Sequence, residues 1–243
     1  MTSGANRFRA LHAAFQGSGL FLVLVVSFLL ISGCSMSRSS MNSMGATSAF
    51  VFVANSGSGT VSVFAMSTSG MLSPVSGSPF PAGAGAEFMA VDSVHKFLYV
   101  SNQDANNLSA FSINTSTGML TPVPGAHFST GAVPHGVAVD MMGKFAFVGN
   151  QNDNSISVFS INSANGSLTP IAGSPFTGID SPFGLALNPA GTFLYVNNVN
   201  TSTVSAFRVD GTTGALTAVA GSLLPTGTTP IGLTPTPPAS SCS

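Results

Sequence analysis

The chain has 243 residues, of which 5% are charged, and a formal net charge of −1 at pH 7. That balance leaves no basic footprint for nucleic acid and no acidic tail, so no nucleic-acid partner is expected. Two cysteines, Cys34 and Cys242, are too few for a disulfide framework.

Residues 1–33 come first. Arg7, Arg9 and His12 precede Gly19 to Ile31, an apolar run too short to cross a bilayer as a helix of about 20 residues. The run ends Ile31-Ser32-Gly33-Cys34, which resembles a bacterial lipoprotein signal. The resemblance implies cleavage before Cys34 and lipidation of that cysteine, with several acyl chains giving stable membrane attachment. A single anchoring helix with an incidental cysteine is the alternative, and the short run with its small-small-Cys ending speaks against it. Residues 34–48 are Ser-rich and read as a flexible tether. The expected location is the bacterial cell envelope. Ser35, where an Asp would resemble an inner-membrane retention signal, favours the outer membrane if the cell is Gram-negative.

Residues 49–235 repeat, and 236–243 read as a flexible tail. The stretch 145–192 contains four short apolar runs, FAFV, ISVF, LTPIAG and FGLAL, each bounded by Asn, Gly, Ser or Pro. Their length and their Val, Ile and Phe content predict strands, and no run is long enough for a helix. The Asn closing the first run recurs at Asn55, Asn102, Asn150 and Asn198, and a turn Gly recurs at Gly70, Gly118, Gly166 and Gly214. Comparing the two series places a one-residue deletion between Asn55 and Gly70. A period of about 48 residues with four strands per unit predicts an all-β chain, a β-propeller of four four-stranded blades.

The first strand of each unit ends FVAN, YVSN, FVGN or YVNN (52–55, 99–102, 147–150, 195–198), which resembles the YVTN repeat of bacterial propellers. The phrases LTPVPG, LTPIAGSPF and PHGVAVD resemble the wider lactonase-like family that includes 6-phosphogluconolactonase-type enzymes. The resemblance covers residues 50 to about 235 and implies the fold, with lactone hydrolysis as the family activity. Such propellers usually carry seven blades. Four blades are therefore expected to form a small ring, closed or nearly so, with an open arc, a half-propeller pairing with a second copy, or a truncated part of a larger ring as the alternatives.

Within a unit, the run at 86–92, 134–140, 182–188 and 230–235 has small residues, Gly136, Gly184 and Gly232, that suit the crowded axis, so it is expected to be the inner strand. FLYV and its equivalents follow, apolar on both faces as a sandwiched strand should be. Next comes a run with a Ser common to all four copies, Ser62, Ser109, Ser157 and Ser205. Pro74, Pro122 and Pro170 assign the last run to the outer edge, because proline cannot donate to a ladder. The final inner strand, near Ile231 to Pro235, is expected to clasp Phe50 to Asn55, though Pro235 and Pro237 weaken it.

Asp92, Asp140 and Asn188 occupy equivalent turns, which predicts backbone capping. His95 and His127 read as turn residues. No spacing brings His and Asp together on one strand, so neither a metal nor any other cofactor is expected. At the start of the inner strand the equivalents are Glu87, His135, Phe183 and Ile231, facing the channel mouth. Pro134-His135-Gly136 resembles the Pro-His phrase of lactonase-type propellers. His135 as base and Glu87 as its partner are the candidate catalytic pair for water attack on a lactone. The scarcity of Lys and Arg favours a non-catalytic, lipid-anchored scaffold that binds a protein, a glycan or another copy of itself. The alternative is a lactone hydrolase.

Overall fold

A computed structural model describes residues 49–94 and 96–235. Cys34, the signal and tether segments, His95, Cys242 and the tail beyond residue 235 lie outside the described residues. Among the described residues there is no helix, and 18 strands form four antiparallel sheets.

The first sheet runs β1 (Ala49–Asn55), β2 (Thr60–Met66), β3 (Leu72–Pro74), with β4 (Phe80–Pro81) also on β2. The second is β5 (Ala86–Val91), β6 (Phe97–Asn102), β7 (Asn107–Ile113) and β8 (Leu120–Ser129). The third is β9 (Pro134–Val139), β10 (Phe145–Asn150), β11 (Ser155–Ile161), β12 (Leu168–Pro170), with β13 (Phe176–Thr177) on β11. The fourth is β14 (Pro182–Leu187), β15 (Phe193–Asn198), β16 (Thr203–Val209), β17 (Leu216–Ala218), with β18 (Leu224–Pro225) on β16. Each sheet is one blade, and the inner, second, third and outer order read from the sequence holds in blades 2 to 4.

The repeated residues are the ones that fasten each blade. Asn102 Nδ2 donates to Ser109 Oγ at 2.8 Å and Asn150 Nδ2 to Ser157 Oγ at 2.9 Å, with the same bond from Asn55 to Ser62 and from Asn198 to Ser205. The strand-ending Asn therefore ties the second strand to the common Ser of the third. Asp92 Oδ1 accepts from Lys96 N and Phe97 N, Asp140 Oδ1 from Lys144 N and Phe145 N, and Asn188 Oδ1 from Thr192 N and Phe193 N. These are the expected turn caps. The one-residue deletion also has its place: Gly70 N donates to Ser67 O, whereas Gly118, Gly166 and Gly214 donate one residue further back, to Asn114, Asn162 and Asp210.

Blades stack through apolar faces. One cluster joins blades 1 and 2 (Val61, Val63, Leu98, Val100), another blades 2 and 3 (Phe97, Tyr99, Val148, Phe159), and a third blades 3 and 4 (Phe147, Val158, Leu194, Val196). The turn glycines seat against a Phe of the preceding blade. A Cβ on Gly118 would lie 2.5 Å from Phe50, one on Gly214 2.7 Å from Phe145, and Gly166 meets Phe97 in the same way. Tyr99 in that interface is fully buried and donates its hydroxyl to Gly166 O at 3.1 Å. Burial, helped by the charge of Asp92, pushes its pKa upward.

Three expectations are corrected. The run at 230–235 is not a strand and pairs with no strand, β1 included, although Ile231 O comes close to Gly184 of β14. Among the described residues no core cluster joins blade 4 to blade 1, so the four blades form an open arc. His127 lies in β8, not in a turn. Blades 1, 3 and 4 break their outer run at Ser78, Ser174 and Ser222, each of which accepts from a third-strand amide (Val63 N, Val158 N, Ala206 N), but blade 2 has Ala126 there, so β8 runs through and His127 Nδ1 meets Ser109 Oγ at 3.1 Å.

Candidate functional site

All three inner strands carry an irregularity at their start, between Ala86 and Met89, between Pro134 and Val137, and between Pro182 and Leu185. A bulge re-aims the side chains within it. Glu87, His135 and Phe183 are the residues turned by these three bulges, and they meet at one end of the axis.

His135 Nδ1 and Glu87 Oε2 are 2.7 Å apart, with the side chains only 5% and 12% exposed. The second ring nitrogen, Nε2, is 2.8 Å from Gln151 Oε1. An Nδ1–H donated to the carboxylate fixes the tautomer and orientation of the ring. The Gln151 amide closes the other side of the ring, at Nε2. Aromatic rings enclose it: Phe183 lies 4.3 Å from the His135 centroid at 31°, and Phe88 is edge-on at 6.0 Å. Phe88 and Phe183 are themselves edge-to-face at 5.3 Å. This apolar wall shields the His135 ring from water, leaving Glu87 as the side of the pair that solvent can reach.

Of the four equivalent positions, the structure brings Glu87, His135 and Phe183 together. Ile231 is 60% exposed and stays outside. The expectation that His135 faces the opening is corrected, since it is buried behind Glu87. A cleft of about 680 Å³ opens instead beside Glu87, between Ser56–Gly59 and Pro81–Gly85, with Gln103 and Asp104 on its wall. Glu87 is the member of the pair that lines it, and its Oε1 accepts no hydrogen bond from the described residues.

Gln151 is the participant that the sequence did not flag. It follows the strand-ending Asn150, where the other copies have Ser56, Gln103 and Val199, so no shared identity marks it. Gln103 at the same place in blade 2 was the available signal. The expected crowding at the axis is observed for Gly136, whose Cβ would lie 2.5 Å from Phe183 O, and for Gly184, 3.2 Å from Ile231 O. It is not observed for Gly232, which has open space around it.

All the described cations lie at one end of the axis, together with Asp92, Asp140 and Asp210. Lys96, Lys144 and Arg208, the cations among the described residues, all lie at the end where the second strands begin. Glu87, Asp104, Asp153 and Asp180 lie at the opposite end, with the site. Among the described residues no three His, Cys, Asp or Glu side chains are grouped to hold a metal ion.

A stack of four-stranded blades with a histidine–carboxylate pair at the axis defines a β-propeller with an axial polar site. The sequence model of the lactonase, seven-bladed β-propeller family matches residues 42–229, and the chain belongs to that family. Among solved structures it is similar to a candidate 6-phosphogluconolactonase from Bacteroides uniformis, at 18% identity and a TM-score of 0.65 over 73% of this chain and 52% of that one. It is equally similar to the periplasmic gluconolactonase of Pseudomonas aeruginosa, at 18% identity and a TM-score of 0.65 over 75% of this chain and 52% of that one. The chain thus spans about half the length of these structures. No curated protein sequence matches it.

Proposed function

We propose that the chain hydrolyses a lactone, with Glu87 as the group that meets the attacking water. The observation that carries this reading is the enclosed Glu87–His135–Gln151 chain with its carboxylate on a cleft, in a member of the lactonase family. Glu87 Oε1 takes a proton from water as the water oxygen bonds to the lactone carbonyl carbon. The tetrahedral intermediate then expels the ring oxygen, which recovers the proton, and the product is the open hydroxy acid. His135 holds the carboxylate in place through its Nδ1, while Gln151 holds His135. Family membership favours hydrolysis over the non-catalytic scaffold that the scarcity of cations suggests.

The same scarcity bears on the substrate. With four acids and no Lys or Arg among the described residues at the site end, the favoured substrate is an uncharged lactone and not a phosphorylated one. The test is turnover of glucono-δ-lactone beside its 6-phosphate by wild type and Glu87→Gln. Faster turnover of the uncharged lactone, lost in the variant, is expected. Rates equal to the variant's on both substrates overturn the hydrolase reading, and a preference for the phosphate overturns the charge reading. We propose further that Cys34 carries the lipid and places the domain on an envelope membrane.

A further inference from the structure

The junctions between successive blades are built alike except in one respect, and the exception lies in the cleft beside Glu87. Before each inner strand the chain makes a turn whose last residue, Gly85, Val133 or Ser181, has a positive φ of 73°, 53° or 45°. Between blades 2 and 3 the amides of that turn are capped by side chains. Asn106 Oδ1 accepts from Val133 N at 2.8 Å, and Asp153 Oδ2 from Ala132 N at 2.7 Å. Between blades 3 and 4 Asn154 Oδ1 accepts from Ser181 N, again at 2.8 Å. Between blades 1 and 2 these caps are absent from the sequence. Gly59 stands where the other copies have Asn106 and Asn154, and Ala105 stands in place of Asp153. Ala84 N and Gly85 N, the equivalents of Ala132 N and Val133 N, therefore donate to no acceptor among the described residues.

The uncapped amides face a place where a ligand fits. Ala84 and Gly85 line the cleft together with Gly59 and Glu87. Gly85 is buried, and a buried backbone amide rarely stands without an acceptor. A Cβ on Gly59 would lie 3.4 Å from Ala84 N, so the missing side chain is what leaves the space before the amides empty. Successive amides of such a turn form a concavity that suits an oxygen bearing negative charge. Glu87 follows Gly85 by two residues, at most about 7 Å of chain, which is room for one water and one ester group between them. Two carboxylates, Glu87 and Asp104, stand on the cleft wall and repel a permanent anion. A neutral carbonyl oxygen that becomes charged only during reaction meets no such repulsion in binding.

We propose that Ala84 N and Gly85 N are the oxyanion donors of the lactone site, an inference that rests on the hydrolase reading above. The lactone carbonyl oxygen accepts from both amides. As the water oxygen bonds to the carbonyl carbon and its proton passes to Glu87 Oε1, the carbonyl π pair moves onto that oxygen. When the pair returns, the bond to the ring oxygen breaks, and the ring oxygen takes the proton from Glu87. Fixed backbone donors aimed at developing charge stabilise the transition state without a Lys or Arg. The scarcity of cations at this end of the axis is thereby compatible with hydrolysis.

The experiment restores the caps that the other junctions carry. Ala105→Asn offers Ala84 N an uncharged acceptor, and Ala105→Leu supplies similar bulk without one. Gly59→Asn does the same for Gly85 N, with Gly59→Ala as the control that shares its Cβ. Thermal melts confirm folding, and the Ala105 pair stands by itself if the Gly59 pair does not fold. On glucono-δ-lactone each Asn variant should lose about 10²–10³-fold in kcat relative to its own control, the loss for one oxyanion donor. A second readout needs no turnover. Glucono-δ-lactam presents the same ring carbonyl but resists hydrolysis, and on its addition the Ala84 and Gly85 amide protons of the isotope-labelled full chain should move downfield while those of Ala132 and Val133 stay. Asn variants as active as their controls, or amides unmoved by the lactam, overturn the donor assignment and leave the hydrolase reading standing. A wild type without turnover overturns the hydrolase reading instead, and lactam shifts at the two amides would then keep them as carbonyl donors of a binding site.

Discussion

Glu87 and His135 stand one repeat apart in sequence and 2.7 Å apart in space, each held in an inner-strand bulge. Gln151 closes the chain at the far nitrogen of the same ring. Gln151→Leu leaves a buried imidazole nitrogen without a partner and is expected to cost about 1–3 kcal/mol in a urea melt. Gln151→Glu should restore most of that loss, and a melt unchanged by Leu would show that the contact contributes nothing.

Gly136→Ala should damage the site more than any neighbouring Gly substitution. Its Cβ would lie 2.5 Å from Phe183 O and 2.8 Å from Leu185 N, both backbone atoms of the next inner strand that cannot swing aside. A Tm drop of several degrees, with loss of any lactone turnover, is expected. Gly232→Ala, with open space around it, should leave the Tm unchanged.

The four repeated phenylalanines of the third strand are not equivalent. Phe159 is 2% exposed between blades 2 and 3, and Phe159→Ala is expected to cost about 3–5 kcal/mol. Phe64, on the open face of blade 1, is only half-buried, and Phe64→Ala should cost less. Chemical denaturation of the two variants checks the ranking.

Asp140 serves three backbone amides, Lys144 N at 2.6 Å and Phe145 N at 2.7 Å on Oδ1 and Met142 N at 3.2 Å on Oδ2. Asp140→Ala is expected to lose about 1–3 kcal/mol of stability, as those donors lose their acceptor. Asp140→Asn should be nearly neutral, because Asn188 makes the same two Oδ1 bonds in blade 4. Equal losses for the two variants would mean that the negative charge, and not the oxygen, holds the turn.

Cys34→Ala tests the membrane attachment. Wild type should enter the detergent phase on phase separation and the variant should remain in the aqueous phase with its melt unchanged. Equal partitioning would rule out lipidation at this residue.

What the sequence determined by itself is local and periodic. The 48-residue spacing, the Asn–Ser tie, the Asp and Asn caps and the shortened turn before Gly70 are each set by residues close in the chain, and each is found in place. Even the meeting of Glu87 with His135 followed from the period, because equivalent positions in stacked blades share one height along the axis. The tertiary structure decided what depends on neighbours distant in the chain. The bulges buried His135 behind Glu87, and Gln151 reached the ring from a turn whose identity varies between copies. His127 became a strand residue because its blade has Ala126 where the other three carry the interrupting Ser. The open ends were the least legible of all, for a repeat says how each blade is built and not how many degrees each turns from the last. Whether an apolar face such as Phe193 with Tyr195 is covered depends on that accumulated angle and not on the repeat itself, and in the described residues both are half-buried.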